Sequence, residues 1–311
     1  IKYILQFMYT DEKKIYRLFT NWLVTSLFLV FLIIIVGGLT RLTNSGLSIT
    51  EWELFKGILP PLNSNSWNNY FDLYKKIPQY KLLNQDMVLD EFKIIFYWEY
   101  FHRILARFIG IFFLIPLIFF YISKKIKKEH LQICYFIFSL IIIQGLIGWY
   151  MVKSGLVNDV SVSHYRLSIH LITAIIIISS IFWLVMNLIF KKKKLFFKFT
   201  KHNFPFLFLI FLIFTQIVLG AFVSGLDAGQ IYQTWPRMGN SYLPNDFVLS
   251  NFNNVIEFNN HSLVQFYHRI FAYLIILYVL FMTIFIYKKR LIYLYKSLKI
   301  IIFFLFLQVI L

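Results

Sequence analysis

Seven stretches, each about as long as a helix needs to cross a bilayer, divide this 311-residue chain. They cover about 20–38, 94–121, 130–152, 164–190, 204–223, 263–287 and 297–311, and they carry almost no charge. Hydrocarbon offers no partner for a bare peptide group, so such stretches cross it as helices packed together. The expected fold class is therefore all-α and polytopic. Composition agrees, with 59% hydrophobic and 14% charged residues, more apolar than a soluble domain requires.

The net charge of +17 does not indicate nucleic acid. Of the 31 Lys and Arg, 19 sit in the N-terminal segment, the 122–129 turn, the 191–203 loop and the 288–299 loop. That clustering reports topology, placing those segments on the cytoplasmic (or matrix) side and the loops 39–93 and 224–262 outside. The segments are then a cytoplasmic 1–19, a first bundle at 20–190 with its long loop 39–93, a basic linker 191–203, and a second bundle at 204–311. Trp52, Trp67, Pro60-Pro61 and the spaced Tyr and Leu of 70–83 suggest short amphipathic helices covering a site. The one cysteine, Cys134, can form no internal disulfide and supports no thiolate cluster.

The two halves echo each other. Gly37-Gly38-Leu39-Thr40-Arg41 has a counterpart in Gly220-Ala221-Phe222-Val223-Ser224, and Phe101-His102-Arg103 in Tyr267-His268-Arg269. Gln144-Gly145-Leu146-Ile147 is echoed by Gln308-Val309-Ile310-Leu311. Spans one, two and three thus pair with five, six and seven as a parallel repeat of four-helix units. The repeat predicts an eighth span beyond Leu311, so the chain reads as a fragment.

Ionisable groups inside spans are costly and mark function by default. At about 1.5 Å rise per residue, His102, His170 and His268 lie roughly 8–12 Å below the outer ends of their spans. A single intramembrane histidine is often an interhelical hydrogen-bond donor. Three at one depth suit metal ligation, and two facing helices can clamp one haem iron. No His-x3-His pair or carboxylate cluster points to a bare ion. Glu99 lies three residues before His102, on the same helix face. It could pass protons or stabilise positive charge beside a porphyrin, or simply pair with Arg103 or Arg166. Its counterpart is the neutral Gln265. Arg103, Arg166 and Arg269 suit haem propionates, or snorkel to headgroups. His164, at the mouth of span four, reads as a surface residue. His130, His202 and His261 fall in loops.

These residues, within longer motifs, resemble the haem A synthase family. The first half carries Gly37 to Arg41, Leu42-Thr43, Ser45 to Ser48, Glu51-Trp52, Leu59-Pro60-Pro61-Leu62, Glu99 to Arg103, and Tyr165-Arg166-Leu167 with His170-Leu171. The second carries Gly220 to Val223, Gly225-Leu226, Ala228-Gly229, Thr234 to Gly239 and Tyr267-His268-Arg269. The long first loop and the lack of loop cysteines resemble the proteobacterial and mitochondrial branch.

The resemblance implies eight helices in two pseudo-symmetric four-helix bundles. It implies oxidation of a porphyrin methyl of haem O to the formyl of haem A, for cytochrome oxidase. His102 and His170, with Arg103 and Arg166, would hold the substrate haem, with Glu99 as the catalytic group beside the reacting methyl. His268 and Arg269, with a histidine of the eighth span, would hold a haem b cofactor. Expected partners are membrane lipid, haem O, haem O synthase and an electron donor of unknown identity; a homo-oligomer is left open, and nucleic acid is not expected. The expected location is the bacterial inner membrane, N-terminus inside, with the mitochondrial inner membrane as the alternative. The rival functions are a diheme electron carrier of the quinol-oxidising cytochrome b type, and a transporter built on the same repeat.

Overall fold

A computed structural model of the chain describes residues 2–51, 56–157, 159–190, 200, 203–245 and 258–310. Seven of its helices are long and apolar enough to cross a membrane, and no strand occurs among the described residues. The chain divides into two compact units, Ile1–Phe196 and Phe197–Leu311.

The first unit is built on α1 (Lys2–Leu42), α4 (Leu89–Ser123), α5 (Lys128–Gly155) and α6 (His164–Phe190), with α2 (Ser64–Tyr74) and α3 (Pro78–Leu83) in the long loop. Helix α1 begins well before the apolar span does. Lys13, Lys14 and Arg17 are good helix formers, and nothing between them and the span breaks the helix. The long helices form a ring in which α1 packs on α4, α4 on α5, α5 on α6, and α6 on α1. Helices α4 and α6 are therefore diagonal to each other.

Apolar packing closes the ring at one end. Phe19, Trp22 and Leu23 of α1 meet Phe113, Leu117 and Phe120 of α4, Cys134 and Ile137 of α5, and Ile181 and Leu184 of α6. The Trp22 and Phe113 rings lie 4.7 Å apart, and the Trp22 indole N–H donates to the Phe112 carbonyl at 3.2 Å. A second apolar cluster caps the other end, where Leu47 and Ile49 of the loop and Trp67, Phe71 and Tyr74 of α2 pack on Phe92 and Phe96 of α4. The expected amphipathic helices are thus present, with Trp67, Phe71 and Tyr74 forming the inner face of α2. Trp52 lies outside the described residues.

A polar chain ties this cap to the end of α1. Asn84 Nδ2 donates to the Tyr74 hydroxyl at 2.7 Å, that hydroxyl donates to Gln79 Oε1 at 3.1 Å, and Gln79 Nε2 donates to the Asn44 carbonyl at 3.1 Å. Asn44 takes a left-handed conformation, φ 51°, which Asn tolerates better than most residues.

The second unit packs α7 (Phe204–Gly225) on α8 (His261–Lys288), with α9 (Tyr295–Ile310) beside α8. Leu209 and Leu212 meet Ile275 and Val279, and nearer the loop Leu219 and Phe222 meet Val264. Asp227 follows α7 in the same left-handed conformation, φ 51°. It stands seven residues past Gly220, as Asn44 stands seven past Gly37.

Burial raises the Tyr74 phenol above its ordinary value near 10. The folded state therefore holds that proton more tightly than the unfolded chain. The associated stability is complete below pH about 10 and is lost as pH rises through the folded value. Tyr74→Phe should lose about 1–3 kcal/mol at neutral pH, because Asn84 and Gln79 lose their common partner, and should flatten the alkaline loss. Unfolding in detergent, followed by tryptophan fluorescence across pH 7–12, reads both effects.

Candidate functional site

A layer of different character lies between the two apolar clusters of the first unit. No buried apolar residue occurs between Val30 and Leu42 of α1, Phe96 and Ile109 of α4, Ile137 and Gly155 of α5, or His164 and Ile177 of α6. His102 of α4 and His170 of α6 lie in this layer. They project from diagonal helices, as two ligands approaching one centre from opposite sides must.

Each imidazole rests against a glycine of a neighbouring helix. A Cβ on Gly37 would stand 3.2 Å from His102 Nε2, and one on Gly148 would stand 3.1 Å from His170 Cε1. In the second unit a Cβ on Gly220 would stand 3.2 Å from His268 Cε1. Gly37 and Gly220 are repeat counterparts, as are His102 and His268. The same contact therefore recurs in both units, and any side chain at these glycines would press on the ring. This contact explains the paired glycine motifs, which spacing alone did not connect to the histidines.

One turn nearer the long loops, each unit grips both the backbone N–H and the backbone C=O of a single residue. Glu99 is 3% exposed. Its Oε2 accepts from the Ser48 hydroxyl at 2.7 Å and from the Ile49 amide at 2.8 Å. Its Oε1 accepts from Arg103 Nε at 3.0 Å and Nη2 at 2.6 Å, and Arg103 Nη2 also donates to the Ile49 carbonyl at 2.9 Å.

In the second unit Gln265 Oε1 accepts from the Tyr232 amide at 3.2 Å, while Gln265 Nε2 and Arg269 Nη2 donate to the Tyr232 carbonyl at 2.9 and 2.7 Å. Ile49 and Tyr232 each stand 12 residues past the glycine that meets the histidine. The loop after the first helix of each unit is therefore fastened to the histidine helix by the same device. The first unit uses an ion pair and the second a neutral amide with an arginine.

The arginines read from the sequence as propionate partners are thus engaged with protein. Arg269 Nη1 further donates to the Thr234 carbonyl at 2.8 Å. Arg166 donates to the Tyr150 carbonyl at 2.7 Å and stacks 3.7 Å over the Tyr150 ring. A guanidinium has five N–H donors, more than these contacts use. His164 is buried and lies against Tyr165, with ring centroids 4.0 Å apart, in contrast to the surface position expected. His130 lies in α5 and His261 opens α8; His202 lies outside the described residues.

The residues present fit a haem. His102 and His170 lie in one layer of the bundle on diagonal helices, where they would hold a haem iron between them. His170 Nδ1 is buried without a hydrogen-bond partner. Among the described residues no group of three or more His, Cys, Asp or Glu comes together, which is the donor set a bare ion would require.

Residues 20–311 match the model of a family described as cytochrome oxidase assembly protein. A protein of Pelagibacter ubique named heme A synthase is 50% identical over 286 residues, 91% of this chain and 83% of the relative. Proteins of the same name from Parvibaculum lavamentivorans and Agrobacterium fabrum are each 44% identical over 262 residues, covering 82% and 84% of this chain and 74% and 72% of the relatives. No solved structure matches. With sequence motifs, paired histidine sites and relatives in agreement, the chain belongs to the cytochrome oxidase assembly family that contains the heme A synthases.

Proposed function

We infer that this chain is a haem A synthase, a membrane oxidoreductase that converts haem O to haem A for cytochrome oxidase. Family membership supports the reaction. The observation that carries the reading into the molecule is the histidine layer, with His102 and His170 on diagonal helices between two apolar clusters. Haem O is the substrate there, held by these two imidazoles, and Arg103 and Arg166 direct their remaining donors to its carboxylates. A haem b in the second unit, with His268 as one ligand and Arg269 beside it, supplies one-electron chemistry to the first.

Glu99 is the residue assigned to the chemistry. Gln265 performs the equivalent fastening task without a charge. The negative charge of Glu99 is therefore surplus to fastening, and it sits one turn from His102, where positive charge developing on a substrate carbon would be stabilised. Arg103 and the Ser48 and Ile49 donors hold that carboxylate in one orientation. The apolar cluster beneath α2 covers this end of the bundle.

The long loops face the periplasm and the basic turns the cytoplasm, in a bacterial inner membrane. Haem O arrives from a haem O synthase, and an electron donor serves the second unit.

Glu99→Gln keeps an acceptor for the loop, as Gln265 does beside Arg269, whereas Glu99→Ala would leave the buried Ser48 and Ile49 donors unmet at about 1–3 kcal/mol each. In cells supplied with haem O, chromatography of extracted haems should show haem A from the unmodified protein. Glu99→Gln should bind haem but yield little or no haem A; normal output would confine Glu99 to fastening. Orientation is open to a second test. With Cys134 replaced by Ser, Lys81→Cys should react with an impermeant maleimide from the periplasmic side, and Lys125→Cys only after permeabilisation. The reverse pattern would invert the topology.

A further inference from the structure

Two glutamines stand beside the histidines in a repeated arrangement that neither the clamp nor the glycine contact explains. Gln144 lies four residues before Gly148, and Gln216 four before Gly220. Each therefore shares a helix face with the glycine that meets an imidazole. Gln144 Nε2 donates to the His170 carbonyl at 2.9 Å. Gln216 Nε2 donates to the His268 carbonyl at 3.1 Å and lies 3.1 Å from His268 Nδ1 and 3.3 Å from His268 Nε2, nearer to Nδ1. In both glutamines the amide oxygen Oε1 is buried without a hydrogen-bond partner, and so is Nδ1 of His170.

The two sites are independent occurrences. Gln144 approaches its histidine from the third span of the first unit, and Gln216 from the first span of the second. The repeat counterpart of Gln216 is Ile33, four residues before Gly37, so α1 brings no amide to His102.

An imidazole that gives the lone pair of one nitrogen to a metal must, as the neutral ring, carry its proton on the other. That N–H then needs an acceptor, and leaving it bare in a buried site costs about 1–3 kcal/mol. Metal-bound histidines almost always donate this proton to a carbonyl, carboxylate or water, which fixes the ring and raises its basicity. An orphan carbonyl oxygen, on a side chain already bonded to the backbone of the same histidine, is the acceptor within reach. Turning the terminal amide end for end brings that oxygen to the place the nitrogen holds, 3.1 Å from Nδ1 in His268, and gives up the bond to the backbone carbonyl in exchange for the ring proton.

We propose that Gln144 and Gln216 are positioning residues that accept the Nδ1–H of His170 and His268, leaving Nε2 of each ring to ligate haem iron. This rests on the reading that both histidines are haem ligands. It adds a distinction within the first unit: both rings rest on a glycine, and His170 alone also has an amide beside it.

The test uses the full-length protein purified with its haems, comparing Gln216→Leu and Gln216→Glu by redox titration, low-temperature electron paramagnetic resonance and haem retention. Gln216→Leu removes the acceptor; the haem b potential should rise, the low-spin g values should shift, and haem should bind roughly 10–100-fold more weakly. Gln216→Glu keeps an acceptor and strengthens it, so haem should be retained and its potential should fall below that of the unmodified protein.

A merely structural glutamine would give no such opposite shifts, because both variants lose the amide donor to the His268 carbonyl. Unchanged potential and g values in both variants, or equal haem loss in both, overturns the proposal. Gln144→Leu and Gln144→Glu, read on the substrate haem, give the same decision should a Gln216 variant not fold. Failure of the underlying reading looks different: His268→Ala would then leave the spectrum of the unmodified protein unaltered.

Discussion

A bilayer core supplies no water to a buried peptide or imidazole, so every polar group placed there must find its partner within the protein. In this chain that constraint is met at two homologous points. The backbone N–H and C=O of Ile49 are held by Glu99 and Arg103, and those of Tyr232 by Gln265 and Arg269. Each clamp sits on the helix that carries a histidine, one turn toward the loop. Fastening the loop there both satisfies its backbone and fixes the depth of the imidazole below it. The glycines facing the rings, and the apolar clusters above and below, then leave a layer that is defined by histidines.

The two clamps also show where the units diverge. Geometry is shared down to the atom that accepts from the loop amide, but the first unit spends an ion pair where the second manages with a neutral side chain. A buried ion pair is not an efficient source of stability, because desolvation offsets much of its attraction. Its presence beside His102 alone is what the catalytic role proposed for Glu99 accounts for.

The spans were legible because about 20 apolar residues have few alternatives to a membrane helix. The start of α1 was not, since its charged residues favour helix as well as any others and hydropathy is blind to helix outside the bilayer. The three histidines stood out by their cost in hydrocarbon, and Glu99 by its place one turn from His102, with Arg103 or Arg166 open as its ion-pair partner. The pairing with Arg103 and the joint grip on Ile49 were hidden, because the contact to Ile49 joins residues 50 positions apart. Likewise Gly37 and Gly220 were visible as a repeated motif, while their contact with the rings depends on how two helices pack. Gln144 was noted only as an echo of Gln308, and Gln216 carried no signal, because one polar residue in an apolar span does not reveal what it faces. His164 misled: a histidine at a span boundary reads as exposed, but in the fold it is buried against Tyr165.

The central claim is that His102 and His170 grip one porphyrin across the first bundle while His268 serves another. Absorption and electron paramagnetic resonance spectra of the purified full-length protein test it most directly. The account predicts low-spin ferric signals typical of two-imidazole ligation, with His102→Ala or His170→Ala altering one haem population and sparing the one that depends on His268. A colourless protein under every reconstitution, or spectra indifferent to both substitutions, would contradict it.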